Sequence, residues 1–349
     1  WRLWRARGGA AERMTGRQCA LVSASIAVLS LLAINAEPYR CKILNDEFVL
    51  QSTAFNLHFF RDVATMVRGY DVQGVFLSTD NYLDKRPYFY PFLVSLAHDL
   101  TGYRPLNAFL VNSLLMPGAL ALTFMFGRQL GGWRAGLLAL LLLGGLPLLG
   151  QNATGSGMEL LNVVMILATM TLGAAYLARP DEDRLAALAL SAVLLAQARY
   201  ESALYAAPVA AVVLLGWWRA RRFVLPWAAL AAPLLLIPCA LQNKVLSNTP
   251  TLWELKEETA TRFSLDYFHD NALSAVRFLF NASPELANSL LLSVLAVLGV
   301  GWLLWRSWRP DAWRDWSAAQ WTLALFAGAI VANTLLVFFY YWSSFEDRM

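Results

Sequence analysis

The 349-residue chain is 58% hydrophobic and only 15% charged, with a net charge of +4. Soluble domains carry about 25% charged residues, and here the apolar residues fall in long runs. A soluble globular chain is therefore excluded and an all-α polytopic membrane protein is expected.

The first seventeen residues hold Arg2, Arg5, Arg7, Arg13 and Arg17 against one acid, Glu12. A basic flank before an apolar run is a start-transfer signal. The run at 18–36 is longer than a signal-peptide core and lacks a convincing cleavage site, so it reads as a retained helix. Further apolar runs lie near 106–126, 135–150, 158–178, 185–199, 202–218, 223–241, 287–305 and 319–341, which makes about nine transmembrane helices. The 185–218 stretch reads either as two short helices broken at Arg199-Tyr200-Glu201 or as one kinked segment. The long connections are 37–105 and 242–286.

The first of these begins with Phe48, Phe55, Phe59, Val63 and Met66 at spacings of three, four and seven, with Gln51, Asn56, Arg61 and Asp62 elsewhere. That pattern predicts an amphipathic helix in the membrane interface, ended by Gly69. Pro87 and Pro91 break any helix through 84–91, and the tyrosines there suit an aromatic belt.

Charge sets the orientation. With the N-terminus inside, the cytoplasmic connections hold fifteen Arg, no Lys and six acids, whereas the outer ones hold thirteen Lys and Arg against eighteen acids. The inner connections are short, so the bias per residue is strong. The N-terminus is expected in the cytoplasm and both long loops outside. The net charge then reflects topology and contact with anionic membrane lipids, with no nucleic-acid partner implied. Cys19, Cys41 and Cys239 give no framework. A Cys41–Cys239 disulfide is open, but two unpaired thiols are the favoured reading. His58, His98 and His269 show no metal-ligand spacing, so no metal or other cofactor is expected. No internal repeat and no Walker or GxGxxG motif is present. The chain starts on Trp1 and stops abruptly at Met349, so further helices or a soluble domain beyond it are left open, and 1–349 is read as one transmembrane domain.

Several polar groups gather on the predicted outer face. Asp46-Glu47 directly follows a helix end, where one carboxylate could take a proton from an acceptor hydroxyl and the other orient it. The competing reading is a solvated polar cap. Lys85-Arg86 sits in the turn Asp84-Lys85-Arg86-Pro87-Tyr88-Phe89-Tyr90-Pro91. The two cations suit a lipid phosphate, with Tyr88 and Tyr90 beside them as substrate-binding candidates, or they merely touch headgroups. Arg199-Tyr200-Glu201 and Glu159 bring further ionisable groups to helix ends. There they serve either a substrate or, more simply, helix pairing and the helix dipole. The Tyr340–Arg348 segment reads as aromatic belt plus polar rim. Asn152 and Asn281 lie in short glycosylation patterns.

The order Asn45-Asp46-Glu47, amphipathic loop, Lys85-Arg86-Pro87-Tyr88-Phe89-Tyr90-Pro91-Phe92-Leu93, then His98-Asp99-Leu100-Thr101-Gly102 resembles GT-C glycosyltransferases. The likeness is to the protein O-mannosyltransferase and lipid A aminoarabinose transferase type. Gly157-Met158-Glu159, Arg199-Tyr200-Glu201 and the Tyr/Trp-rich C-terminal segment resemble later patches of such enzymes. The chain departs in having Pro87-Tyr88 where the family has Pro-Pro, and in showing nine spans instead of eleven or more. The resemblance implies transfer of a sugar from a polyprenyl-phosphate donor to a lipid, glycan or protein acceptor hydroxyl, with inversion. Asp46, or Glu47, would be the base. Lys85 would bind the leaving phosphate, helped by Arg86 or Arg199, and Glu201 and Glu159 would line the site. It implies no nucleotide sugar and no metal. The Ala/Leu/Arg-rich usage points to a bacterial inner membrane. Two other readings remain. One is a transporter for a lipid-linked or small polar solute, which should place ionisable groups at mid-membrane. The other is a polyprenyl-diphosphate glycan ligase or polymerase, whose second phosphate would call on Lys244, Lys256, Arg262 and Arg277.

Overall fold

A computed structural model describes residues 14–247, 261, 263–282, 288–308 and 315–340. The basic stretch up to Arg13, Lys256, Arg262 and the segment after Tyr340 lie outside the described residues. The chain is built of helices. Helix α1 spans Gly16–Ala36, α2 Leu44–Phe59, α3 Phe89–Thr101, α4 Leu106–Gly144, α5 Pro147–Ala153 and α6 Glu159–Ala178. Helix α7 spans Glu182–Ala196, α8 Ala206–Ala220, α9 Trp227–Ala231, α10 Ile237–Ser247, α11 Tyr267–Leu279, α12 Leu290–Ser307 and α13 Ala318–Phe338. Short 3₁₀ turns at Tyr200–Tyr205 and Ala232–Leu236 lead into α8 and α10.

Every apolar run in the sequence became helical, but the count of nine spans does not follow. Among the described residues, six segments are long and apolar enough to cross a membrane: Gly16–Ala36, Leu106–Gly144, Glu159–Ala178, Tyr200–Ala220, Trp227–Leu246 and Ala318–Phe338. The 185–199 run gives α7, a 15-residue helix that opens on Glu182, Asp183 and Arg184. The 287–305 run gives α12, whose apolar part Leu290–Trp305 is shorter than the six spans found among the described residues. The 106–126 and 135–150 runs share α4, whose 39 residues are broken by non-helical Gly131 and Gly132. A Cβ on Gly127 would stand 3.0 Å from Gly136 Cα. Nine residues along a straight helix are about 13 Å apart, so the two arms fold back on each other at the glycine pair. Gly132, at φ +80, supplies the left-handed residue for the turn.

The first long loop departs most from expectation. Its helix ends at Phe59, and Arg61 is left-handed at φ 55. The segment expected to continue as helix to Met66 turns instead into an antiparallel hairpin, β1 Thr65–Val72 with β2 Val75–Tyr82. Gly69 is not a helix terminator; it pairs with Ser78 inside the hairpin. Gln73 and Gly74 both have positive φ, the geometry of a tight two-residue turn that matches strand twist. The hairpin is tied to α2 by Ser52, which donates to Met66 O (3.3 Å) and accepts from Met66 N (2.9 Å), and by the Thr53–Thr65 hydroxyl pair (2.8 Å).

Two buried clusters hold the helices together. One joins Leu50 and Ala54 of α2, Tyr90 and Val94 of α3, Ala108 of α4, residues of α6 to α8, and Ala319 and Phe326 of α13. The other joins α1, both arms of α4, α5 and Leu160. The three cysteines are free thiols.

The C-terminal end of α3 is fixed by a polar knot. Asn107 Nδ2 donates to His98 Nδ1 at 2.9 Å, so the neutral imidazole keeps its proton on Nε2. Burial, helped by the charge on neighbouring His58, holds His98 down to about 4 from its ordinary 6.5. An unfolded chain would protonate His98 below pH 6.5 whereas the folded chain resists until about 4. This residue therefore makes stability fall as pH drops through that window. Thermal unfolding of His98→Gln should show a flatter stability profile from pH 6.5 to 4 than the native chain; an unchanged slope would remove His98 as the cause.

Candidate active site

The helix α2 begins where Ile43 offers no side-chain cap. Glu47 takes over. Its Oε2 accepts from the backbone N–H groups of Lys42 and of Ile43 (2.9 Å), and its Oε1 accepts from Ser156 N at 2.6 Å. Only 2% of Glu47 is exposed. A first-turn carboxylate also complements the helix dipole. Both oxygens are thus committed to the backbone.

The far side of that bond is the 154–158 loop before α6. Asn112 of α4 donates from Nδ2 to the carbonyls of Gly155 and Gly157, both at 2.9 Å. Ser113 donates to Ala153 O at 3.0 Å, and Gln51 donates to Ser156 Oγ at 2.8 Å. Backbone and carboxylate approach so closely that a Cβ on Gly155 would lie 2.9 Å from Glu47 Oε1. The loop delivers Glu159 to the first residue of α6. There Arg199 reaches Glu159 Oε1 at 3.4 Å and Glu201 Oε2 at 2.9 Å. All three side chains stay partly exposed. Ser202 donates to Asn162 Oδ1 at 2.6 Å and ties the same 3₁₀ turn to α6.

Asp46 lies one residue before Glu47 and behaves differently. Its side chain is 38% exposed and its Oδ1 accepts from Arg86 Nη2. Among the described residues Oδ2 has no hydrogen-bond partner. Arg86 is buried and also donates from Nη1 to both oxygens of Asp84, at 2.8 Å each. Burial opposes its charge, but the bonds and charges of Asp46 and Asp84 win and hold the guanidinium above its ordinary range. Arg86 therefore serves as an internal clamp, not as a free phosphate fork.

Lys85, next to it, is exposed and has no ion-pair partner among the described residues. Tyr88 is half-buried, with a hydroxyl that lacks a hydrogen-bond partner among the described residues and is pushed upward in pKa by burial. Tyr90 is 1% exposed and donates to Ala108 O at 2.8 Å. It is a core residue that pins α3 to α4, not an interfacial one.

Of the remaining candidates, Glu159 and Tyr200 both lie within electrostatic reach of Asp46. Asp84, which opens the quoted turn but was given no role there, completes the frame with Asn112 and Gln242. Among the described residues no three His, Cys, Asp or Glu side chains cluster as a metal site.

No family model matches the sequence, and no curated protein matches it. Solved structures do match the fold. ArnT from Cupriavidus metallidurans bound to undecaprenyl phosphate superposes with a TM-score of 0.56 at 16% identity, over 93% of this chain and 56% of that one. Its apo state gives 0.56 at 15%, over 92% and 57%. The archaeal oligosaccharyltransferase AglB from Archaeoglobus fulgidus, in complex with an inhibitory peptide and a dolichol-phosphate, gives 0.53 at 13%, over 92% and 48%. These are GT-C glycosyltransferases. The fold is that of the GT-C glycosyltransferases. At these identities the likeness speaks for architecture alone, and the chain spans about half the length of the structures it matches. Asp46 and Lys85 are left open directly beside the buried, internally satisfied Glu47 and Arg86.

Proposed function

We propose that this chain carries the membrane part of a glycosyltransferase that moves a sugar from a polyprenyl-phosphate donor to an acceptor hydroxyl on the outer face of a membrane. The observation that carries this reading is Asp46: a partly exposed carboxylate with one oxygen held by Arg86 and the other unengaged, set in a GT-C fold. Matches to structures holding undecaprenyl phosphate and dolichol-phosphate support the donor class.

In the proposed step, Asp46 Oδ2 takes the proton of the acceptor hydroxyl. The acceptor oxygen bonds the anomeric carbon as the bond from that carbon to the phosphate oxygen breaks. The electron pair leaves with the polyprenyl phosphate and the anomeric configuration inverts. Lys85 meets the phosphate as its charge grows, a contact worth more in the transition state than in the ground state. Arg199 and Glu201, with Glu159, line the opposite wall. On this reading α2 lies in the membrane interface, with the N-terminus in the cytoplasm of a bacterial cell and the acceptor a lipid, glycan or protein.

The test is transfer in lipid nanodiscs with radiolabelled polyprenyl-phosphate sugars, following release of polyprenyl phosphate. Lys85→Ala should raise the donor KM and lower kcat together, by roughly tenfold or more in kcat/KM for a lost charge-assisted contact of about 1.5–3 kcal/mol. Undiminished kcat/KM in Lys85→Ala would remove Lys85 from the phosphate site. Folded protein that turns over no donor would overturn the transferase reading.

A further inference from the structure

Gln242 is a polar side chain on an apolar helix. It sits on α10, in the segment Trp227–Leu246 that is apolar enough to cross a membrane. Its neighbours Leu241 and Val245 are 58% and 51% exposed, whereas Gln242 is 4% exposed. An amide placed this way costs free energy unless its hydrogen bonds are made. Here Nε2 donates to two carbonyls of one turn, Asp84 O at 2.6 Å and Arg86 O at 2.9 Å, across more than 150 residues of sequence.

That turn is the base of the clamp on Asp46. Arg86 N donates to Asp84 Oδ1 at 2.8 Å, and Arg86 Nη1 returns to the same carboxylate, which also accepts from Tyr82 Oη at 3.3 Å. The carboxylate and guanidinium form a closed unit with a single arm reaching outward, from Nη2 to Asp46 Oδ1. Pro87 follows and fixes the next φ. Gln242 holds the two carbonyls on either side of Lys85. A rotation of this turn would swing Arg86 Nη2, and with it the Asp46 carboxylate.

We propose that Gln242, acting with Asp84 and Arg86, is a positioning unit for the Asp46 carboxylate, so that the helix leading into the second long loop sets the geometry of the base. This rests on the transferase reading for its consequence in turnover, but not for the clamp itself. Arg86 then belongs to positioning, with its donors spent on Asp84 and Asp46. Gln242 acts through the turn and not on the sugar.

The experiment replaces Gln242 with methionine, which keeps the volume and deletes the amide, in the full chain in nanodiscs. Two readouts are taken. The first is labelling of Asp46 by dicyclohexylcarbodiimide, located by mass spectrometry, which needs no activity. The second is the split of kcat from donor KM. The expected result is severalfold faster labelling of Asp46, and a kcat lower by roughly tenfold with a smaller rise in KM through Lys85, as misplacement of a reacting group by a fraction of an ångström to 1 Å costs up to about 10²-fold. Native labelling and native kcat in a folded Gln242→Met protein would overturn the proposal, as would a rise in KM alone. Faster labelling in a protein whose native form transfers nothing would sink the transferase reading while supporting the clamp. Asp84→Asn, which loosens Arg86 from the other side, should show the same labelling change and takes over the test if Gln242→Met does not fold.

Discussion

Asp46→Asn is expected to lower sugar transfer by at least about 10²-fold, within the range that a general base contributes, while donor binding and thermal stability stay near native. The geometry explains why the effects separate. Asparagine has the same shape, and its Oδ1 still accepts from Arg86 Nη2 where the carboxylate does. Arg86 keeps both bonds to Asp84, so no buried cation is stranded. The side chain is 38% exposed, so water solvates the new amide. What is lost is the charge on Oδ2 that would receive the proton. Single-turnover release of polyprenyl phosphate, with donor binding measured in parallel, checks both halves. Asp46→Glu sharpens the test. It keeps the charge and pushes it out by one methylene, and a displacement near 1 Å should still cost up to about 10²-fold. Full activity in Asp46→Asn would end the role given to that residue.

Much of this architecture is legible from residue order, for physical reasons. Long apolar runs force helices, since a backbone in hydrocarbon must satisfy itself, and each run between Gly16 and Phe338 is helical in the described residues. The order Asp46, Glu47, Lys85, Arg86 singled out the loop in which the structure pairs Asp46 with Arg86. The partners were not legible. Asp46 and Glu47 look equivalent in sequence, yet one is half open and the other is sealed by three backbone N–H groups. Lys85 and Arg86 likewise look like one cation pair, although the lysine is exposed and the arginine is buried against Asp84. Neighbours in a first helical turn or in an irregular segment point in different directions, and no periodicity announces which way. The hairpin escaped notice because Met66 and Gly69 extend the helical spacing of Phe55 and Phe59. The competing signal was the alternation of Tyr70 and Val72, then Val75 and Leu77, around Gln73-Gly74, a weaker turn pair than Asn-Gly. Gln242 carries no local signal beyond being polar in an apolar stretch, and Asn112 is the same case in α4. A buried amide inside a membrane-length helix is itself the clue, because its cost requires a partner.

Glu47→Ala is expected to be strongly destabilising, at about 3 kcal/mol, and to lower the proposed transfer by a route distinct from Asp46→Asn. Three backbone donors, the buried one on Ser156 and partly buried ones on Lys42 and Ile43, converge on this carboxylate. Each orphaned donor costs about 1–3 kcal/mol, and water entering the vacated space recovers part of the total. Glutamine does not rescue the site fully. Whichever way the amide turns, one NH₂ faces a backbone N–H, so Glu47→Gln should fall between Ala and native. The damage spreads through the 154–158 loop, which Glu47 holds on one side and Asn112 on the other. Loosening that loop frees Glu159 at the start of α6 and with it the Arg199 bridge. Glu47→Ala should therefore lower the unfolding temperature and weaken donor binding as well as turnover, whereas Asp46→Asn should touch turnover alone. The opposite pattern, a Glu47→Gln protein of native stability that binds donor but cannot transfer, would make Glu47 the base and Asp46 its support.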